Sequence, residues 1–159
     1  MSLNLSQASL DRIAEVLTHY PAENKRAALL PILHLVQEEK GYIPVEMEEG
    51  IAALVGVPVV KVKEVLSFYT WFRQKPVGKY HFQVCRTISC TLRGHREIMT
   101  HLEKKLGIKD GETSDDGKFT LTAVECLASC ETAPMMQLNE KYIDNLTPEK
   151  IDEILAGFK

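Results

Sequence analysis

The chain reads as an α+β protein in two parts: an N-terminal helical bundle over residues 1–76, followed by a smaller domain over residues 77–159 built as a βαβ unit plus a ββα unit. Three observations lead to this. Apolar residues recur at helical spacing from Ser6 to Phe72, the pattern turns to strict alternation after Gln74-Lys75-Pro76-Val77-Gly78, and all four cysteines fall in the second part as two close pairs.

In the first part, Leu10, Ile13, Leu17 and Tyr20 form one face of a helix that Pro21 terminates. A second helix is expected from Asn24 to Lys40, with Leu29, Ile32, Leu33 and Val36 inward and Gly41 as its stop. Pro31 lies inside that run and is expected to kink or split it, because it removes a backbone donor. Pro44 opens a third helix, with Glu46, Glu48 and Glu49 near the positive end of its dipole and Gly56 closing it. A fourth begins at Pro58 and carries Val59, Val62, Leu66 and Tyr69 inward.

In the second part, Tyr80, Phe82 and Val84 alternate with polar neighbours, which predicts a strand ending at Cys85. A helix then carries Leu92, His95, Met99, Leu102 and Leu106 on one stripe. Phe119, Leu121 and Ala123 form a second alternating run ending at Cys126. Met135 to Leu138 and Lys141 to Ile143 make a hairpin around Asn139-Glu140, and Thr147-Pro148 caps a last helix. Strand, helix, strand, strand, strand, helix is the minimal thioredoxin-like arrangement, with the first two strands parallel by the right-handed crossover rule. Cys85 and Cys126 then sit beyond the carboxyl ends of parallel strands, the edge at which open α/β sheets place ligands.

Composition bounds the function. The chain has 159 residues, 45% apolar and 26% charged, with a net charge of −3, and no basic run alternates with aromatics. Nucleic-acid binding is therefore not expected. No stretch reaches the roughly eighteen apolar residues of a membrane span, so direct membrane insertion is not expected. Met1 to Gln7 lacks the basic and apolar regions of a secretory leader, so the reducing cytoplasm is the expected compartment, and there paired cysteines are read as metal ligands or redox thiols rather than disulfides.

The pairs are Cys85-Arg-Thr-Ile-Ser-Cys90 and Cys126-Leu-Ala-Ser-Cys130. Structural zinc takes four thiolates, but its usual knuckle is the tighter Cys-x2-Cys, so a zinc-stabilised interaction module stays open as the lesser reading. A dithiol oxidoreductase wants Cys-x-x-Cys after the first strand, and neither pair has it. A Rieske centre needs two histidines, and His81 and His95 lie near only one pair. Two thiolates for each iron of a 2Fe-2S cluster fit the spacing best.

The same residues carry a family resemblance. Cys85-Arg-Thr-Ile-Ser-Cys90-Thr-Leu-Arg-Gly94, Leu106-Gly-Ile-Lys-Asp-Gly-Glu-Thr-Ser-Asp-Asp-Gly-Lys-Phe119 and Cys126-Leu-Ala-Ser-Cys130-Glu-Thr-Ala-Pro134 resemble the thioredoxin-like 2Fe-2S ferredoxin subunits of respiratory complex I, the NADH-quinone oxidoreductase. So do the Leu29–Glu39 helix, Gly41-Tyr-Ile-Pro44 and Val65-Leu-Ser-Phe-Tyr69. The second pair of that family usually encloses a glycine, whereas Ala128-Ser129 stand between the cysteines here. The resemblance implies a thioredoxin-like ferredoxin domain in which Cys85 and Cys90 bind one iron and Cys126 and Cys130 the other. It implies a non-catalytic electron-transfer subunit, docked on a larger flavoprotein that oxidises NADH with FMN, within a respiratory complex peripheral to the inner membrane. The equivalent subunit of an NAD-linked hydrogenase or formate dehydrogenase shares these motifs. FMN and NADH belong to the partner subunit, since this chain has no glycine-rich nucleotide loop after a strand.

Other conspicuous residues take plainer roles. His19, His34 and His101 lack metal-type spacing, Met135-Met136 fill core volume, and Phe68, Tyr69, Trp71 and Phe72 are read first as core packing and second as a partner-binding patch. Arg86, beside the first ligand, is expected to favour the more negative reduced state of a cluster.

Overall fold

A computed structural model describes residues 3–158, in which the chain divides into two compact units, Met1–Pro76 and Val77–Lys159. Met1 and Ser2, the start of the stretch that lacks leader features, and Lys159, the end of the second part, lie outside the described residues.

The first unit contains helices α1 (Gln7–Thr18), α2 (Leu29–Lys40), α3 (Glu48–Val55) and α4 (Val59–Phe68), which enclose a core of Ile13, Ile32, Leu33, Val36, Ile51, Val62 and Leu66. Ser6 caps α1, and the Glu39 carboxylate accepts from both the Ser6 N–H (3.0 Å) and the Ser6 hydroxyl (2.9 Å), tying the start of α1 to the end of α2. Hydrogen bonding, led by Ser9, lowers the Glu39 carboxyl to about 2.

Pro31 acts differently from expectation. Residues Ala22–Ala28 wind as a 3-10 helix and the α-helix starts at Leu29, so Pro31 sits in the first turn, where an N–H has no intrahelical acceptor to lose. The third helix is likewise preceded by a 3-10 turn, Val45–Met47, and Gly56 closes it in the left-handed region at φ +69°. Tyr69 is not inward: α4 ends at Phe68, Tyr69 turns extended and is 42% exposed. Of the aromatic run, Phe72 belongs to the core, with the His34 ring 5.0 Å away, while Phe68, Tyr69 and Trp71 face out. The buried Gln37 pins this segment, donating to the Trp71 carbonyl (3.0 Å) and accepting from the Arg73 N–H (2.7 Å).

The second unit is a four-stranded sheet in the order β2-β1-β3-β4, formed by β1 (Tyr80–Cys85), β2 (Phe119–Val124), β3 (Met136–Leu138) and β4 (Lys141–Ile143). The β1 strand pairs parallel with β2, as the crossover rule requires, and antiparallel with β3. Between β1 and β2 the chain forms a short helix α5 (Ile88–Leu92), turns at Gly94 (φ +104°), and continues as α6 (His95–Leu106). The single expected helix is therefore two, and Leu92 leaves the apolar stripe, being 80% exposed. Ile98, Met99 and Leu102 of α6 and Ile151 of α7 (Pro148–Ala156) bury Phe82, Val84, Leu121 and Met136 from one face of the sheet. Thr147 caps α7, accepting from the Lys150 N–H.

Gly78 marks the tightest backbone approach. A Cβ there would stand 2.8 Å from the Phe119 nitrogen and 2.9 Å from the Lys118 carbonyl carbon, both backbone atoms with nowhere to retreat. Gly78→Ala is expected to destabilise the second unit by about 1–3 kcal/mol. A lowered urea midpoint for that unit checks this, and an unchanged midpoint contradicts it.

Candidate metal centre

The geometry of β1 and β2 brings the cysteine loops together. The parallel register sets Cys85 beside Val124, so β2 delivers its chain to Cys126 at the edge where β1 ends. Cys85 is held between strands, its N–H donating to the Met135 carbonyl at 3.2 Å, and the Arg86 N–H donates to the Val124 carbonyl at 2.9 Å. Cys90 lies within α5 rather than before a helix, and it is buried while Ile88 and Leu92 of the same helix are exposed. Cys85 and Cys90 pack with Ala133, Met135 and Leu127, whereas Cys126 and Cys130 are exposed.

The Cys126 and Cys130 sulfurs stand 3.8 Å apart. Two thiolates at about 2.3 Å from one tetrahedral metal are separated by about 3.8 Å, so this pair already has the spacing of two ligands on one ion. Among the described residues no group of three or more His, Cys, Asp or Glu side chains is placed to hold one metal ion, while the Cys130 sulfur of the second pair lies near enough to Cys90 and Cys85 of the first for their charges to interact.

Donors aimed at sulfur complete the site. The Ala128 N–H donates to the Cys126 sulfur at 3.3 Å, and the Thr87 hydroxyl lies 3.2 Å from that of Cys85. Burial pushes the Cys85 thiol up, but hydrogen bonds from the Thr87 hydroxyl and from the Thr87 and Leu127 N–H groups outweigh it and bring it below its ordinary value. Burial pushes the Cys90 thiol up to about 11, with the Met135 N–H opposing and the Cys85 sulfur adding to the rise. The Cys130 thiol is raised chiefly by its hydrogen bond with Cys126, against a stabilising contact from the Ser89 hydroxyl. Each pair thus resists carrying two negative charges, and a bound cation is what lets all four sulfurs be thiolates. Buried and exposed pairs with N–H donors on the sulfurs suit a thiolate-bound, anionic cluster.

The chain matches the model of the thioredoxin-like [2Fe-2S] ferredoxin family over residues 13–159. It belongs to that family. A NADH-quinone oxidoreductase subunit from Rickettsia bellii is 43% identical over 97% of this chain and 93% of its own length. Another subunit of that name, from Thermus thermophilus, is 45% identical over 94% of this chain and 83% of its own length. In fold, the chain is similar to part of an NAD+-reducing [NiFe]-hydrogenase, with a TM-score of 0.69 at 20% identity over 80% of this chain and 22% of that one. As a thioredoxin-like 2Fe-2S ferredoxin the protein carries one 2Fe-2S cluster, which when bound supplies one-electron transfer.

Several residues around the ferredoxin site escape notice in the sequence. Donors from Thr87, Leu127, Ala128 and Met135 are backbone groups, which carry no side-chain signature. Ala128 has φ +62°, a left-handed conformation that costs a residue with a Cβ about 1–2 kcal/mol, so the departure from the family glycine falls where glycine is favoured. The His95 ring, half-buried at the start of α6, lies against the Cys85 backbone, and desolvation lowers its pKa. His81 sits 3.0 Å from the Thr122 hydroxyl, and His101 contacts Asp152 at 2.7 Å, so both histidines are engaged away from the sulfurs.

Arg86 lies beside the first cysteine but does not act alone. Its guanidinium donates twice to Glu125 Oε1, at 3.0 and 2.7 Å, and both side chains are more than half exposed. The opposite charges stand together next to Cys85 and Cys126, and water screens both. Arg86→Glu is expected to lower the reduction potential, by less than the roughly 60 mV that a tenfold bias gives for one electron. Glu125→Gln is expected to raise it. A redox titration in which neither variant moves the potential removes this pair from the account.

Proposed function

We propose that Cys85 and Cys90 hold one iron and Cys126 and Cys130 the other, and that residues 77–159 carry single electrons between this cluster and the FMN of a partner flavoprotein that oxidises NADH. The observation that carries the reading is the pairing of the four sulfurs at the ends of adjacent parallel strands, one pair 3.8 Å apart, in a chain more than 40% identical to NADH-quinone oxidoreductase subunits over nearly its whole length. The hydrogenase likeness, at 20% identity, extends to fold alone, so the quinone-reducing complex is the favoured parent. The protein is an electron carrier within that enzyme and catalyses nothing by itself. No described helix is long and apolar enough to cross a membrane, and the chain works on the cytoplasmic side, reaching the inner membrane only through its complex.

Residues 1–76 are assigned a docking role on the flavoprotein. Phe68 is 77%, Tyr69 42% and Trp71 40% exposed, on a segment whose backbone Gln37 holds in place. Large apolar side chains on a fixed backbone are what interface anchors require, because little conformational freedom is left to lose on binding. Phe72, being core, is not among them.

Anaerobically prepared protein is expected to contain two irons and two acid-labile sulfides per chain, with an electron paramagnetic resonance signal only after reduction. One zinc and no sulfide would refute the assignment. Serine at any one of Cys85, Cys90, Cys126 or Cys130 is expected to abolish or strongly perturb the visible absorbance of the cluster, since each removes a thiolate from a closed set of four. Trp71→Ala is expected to weaken binding to the flavoprotein by at least about fivefold, equivalent to about 1 kcal/mol, while leaving the cluster spectrum intact. Unchanged affinity in a direct binding titration would place the docking surface elsewhere.

A further inference from the structure

The loop between Cys126 and Cys130 contains a conformational problem and, next to it, a set of contacts that answers it. Ala128 is left-handed at φ +62°, and its N–H donates to the Cys126 sulfur at 3.3 Å. An alanine left to itself relaxes to negative φ, and in a loop bounded by two cysteines that change is taken up by the neighbouring torsions, among them those of the Leu127–Ala128 peptide that carries this N–H. Ser129, the next residue, is fixed by side-chain bonds. Its hydroxyl lies 3.1 Å from Asp144 Oδ1 and 2.8 Å from the Thr132 hydroxyl. Thr132 donates to the same carboxylate oxygen at 2.7 Å. Two hydroxyl protons and one carboxylate oxygen thus close a small network, with the Ser129 proton shared between Thr132 and Asp144.

The carboxylate end of this network is itself anchored. The Asn145 N–H donates to the Thr132 carbonyl at 2.7 Å and the Leu146 N–H to the Pro134 carbonyl at 2.8 Å, while the Lys150 ammonium donates to the Asp144 carbonyl. Asp144 therefore belongs to the stretch that joins β4 to α7, not to the cysteine loop it holds.

We propose that Ser129 and Asp144 form a clamp that positions the second cysteine pair, holding Ala128 left-handed so that its N–H stays on the Cys126 sulfur. The clamp touches neither iron nor sulfur and acts through the backbone of the loop. It rests on the reading of Cys126 and Cys130 as cluster ligands. With the clamp released, the loop relaxes, the N–H leaves the sulfur, and the cluster loses a donor that stabilises its more negative, reduced form.

The test uses the full-length protein with its cluster, following loss of visible absorbance in excess chelator and, separately, the reduction potential. Ser129→Ala and Asp144→Ala are each expected to speed cluster loss by about tenfold, the usual scale for removing a group that orients a ligand, and to lower the potential. The double variant is expected to lose the cluster no faster than either single one, since both break the same contact. Adding Ala128→Gly to Ser129→Ala is expected to restore most of the wild-type lifetime and potential, because glycine adopts positive φ without a clamp. Wild-type rates in Ser129→Ala, additive effects in the double variant, or no rescue by Ala128→Gly would each overturn the clamp. Should Asp144→Ala fail to fold, Ser129→Ala, which removes one oxygen from a half-exposed loop, carries the test. A wild-type protein without two irons and two sulfides would instead overturn the ligand assignment, and the clamp with it.

Discussion

The parallel pairing of β1 with β2 is the constraint from which the site follows. A parallel pair sends both chains out of the sheet at the same edge, so cysteines placed after each strand meet without any long loop to order. The crossover through α5 and α6 makes this possible, and the β3 strand, antiparallel to β1, returns Met135 to the same edge, where its carbonyl accepts from Cys85 and its N–H faces Cys90. An antiparallel β1–β2 pair would put the two cysteine pairs at opposite ends of a six-residue strand, roughly 20 Å apart, too far for any shared cluster.

Bringing four sulfurs together creates the second constraint, which is electrostatic. Burial raises the Cys90 thiol and the neighbouring Cys126 sulfur raises that of Cys130, so hydrogen bonding alone does not offset two charges per pair. What it supplies instead is a set of backbone N–H groups and two hydroxyls, each short of neutralising a thiolate yet correctly aimed for a cluster that spreads its charge over sulfur. The first pair is buried against Ala133 and Met135, and the second is exposed to solvent, as are Ile88 and Leu92 of α5. An electron passes most readily where ligands reach the surface, and exposed apolar side chains on the helix that carries Cys90 favour a partner that excludes water there.

Much of this architecture is legible in the sequence because it rests on periodicity and punctuation. Tyr80, Phe82 and Val84 alternate, Gly107 and Thr147-Pro148 mark helix ends, and the strand order then follows from the crossover rule. Misplaced residues share a cause. Pro31, Tyr69 and Leu92 each lie within a turn of a helix boundary, where an apolar repeat continues past the point at which the backbone changes direction, and a periodic pattern carries no record of that change. In the site, the cysteines are legible from spacing, but their surroundings are not. N–H groups of Thr87, Leu127, Ala128 and Met135 are donors by virtue of φ and ψ, and Asp144 reaches the second loop across a hairpin. Arg86 is legible as a nearby cation, while its ion pair with Glu125 depends on the β1–β2 register.

The two units answer to different physical demands. A cluster domain of this size needs one hydrophobic face on its sheet and a rigid edge, and Phe82, Val84, Leu121 and Met136 against α6 and α7 supply the first. Beside its open edge stand the exposed Ile88 and Leu92, together with Arg86 and Glu125, whose charges already satisfy each other. Affinity drawn from that edge alone would bring large apolar groups to the sulfurs and exclude the solvent that stabilises the reduced cluster, coupling the potential to the tightness of docking. On the proposed docking role, aromatic anchors on a segment that Gln37 holds, far in sequence from any cysteine, would let binding strength vary apart from the surroundings of the sulfurs. That independence is the physical reason the proposed docking role offers for a helical half that holds none of the four cysteines.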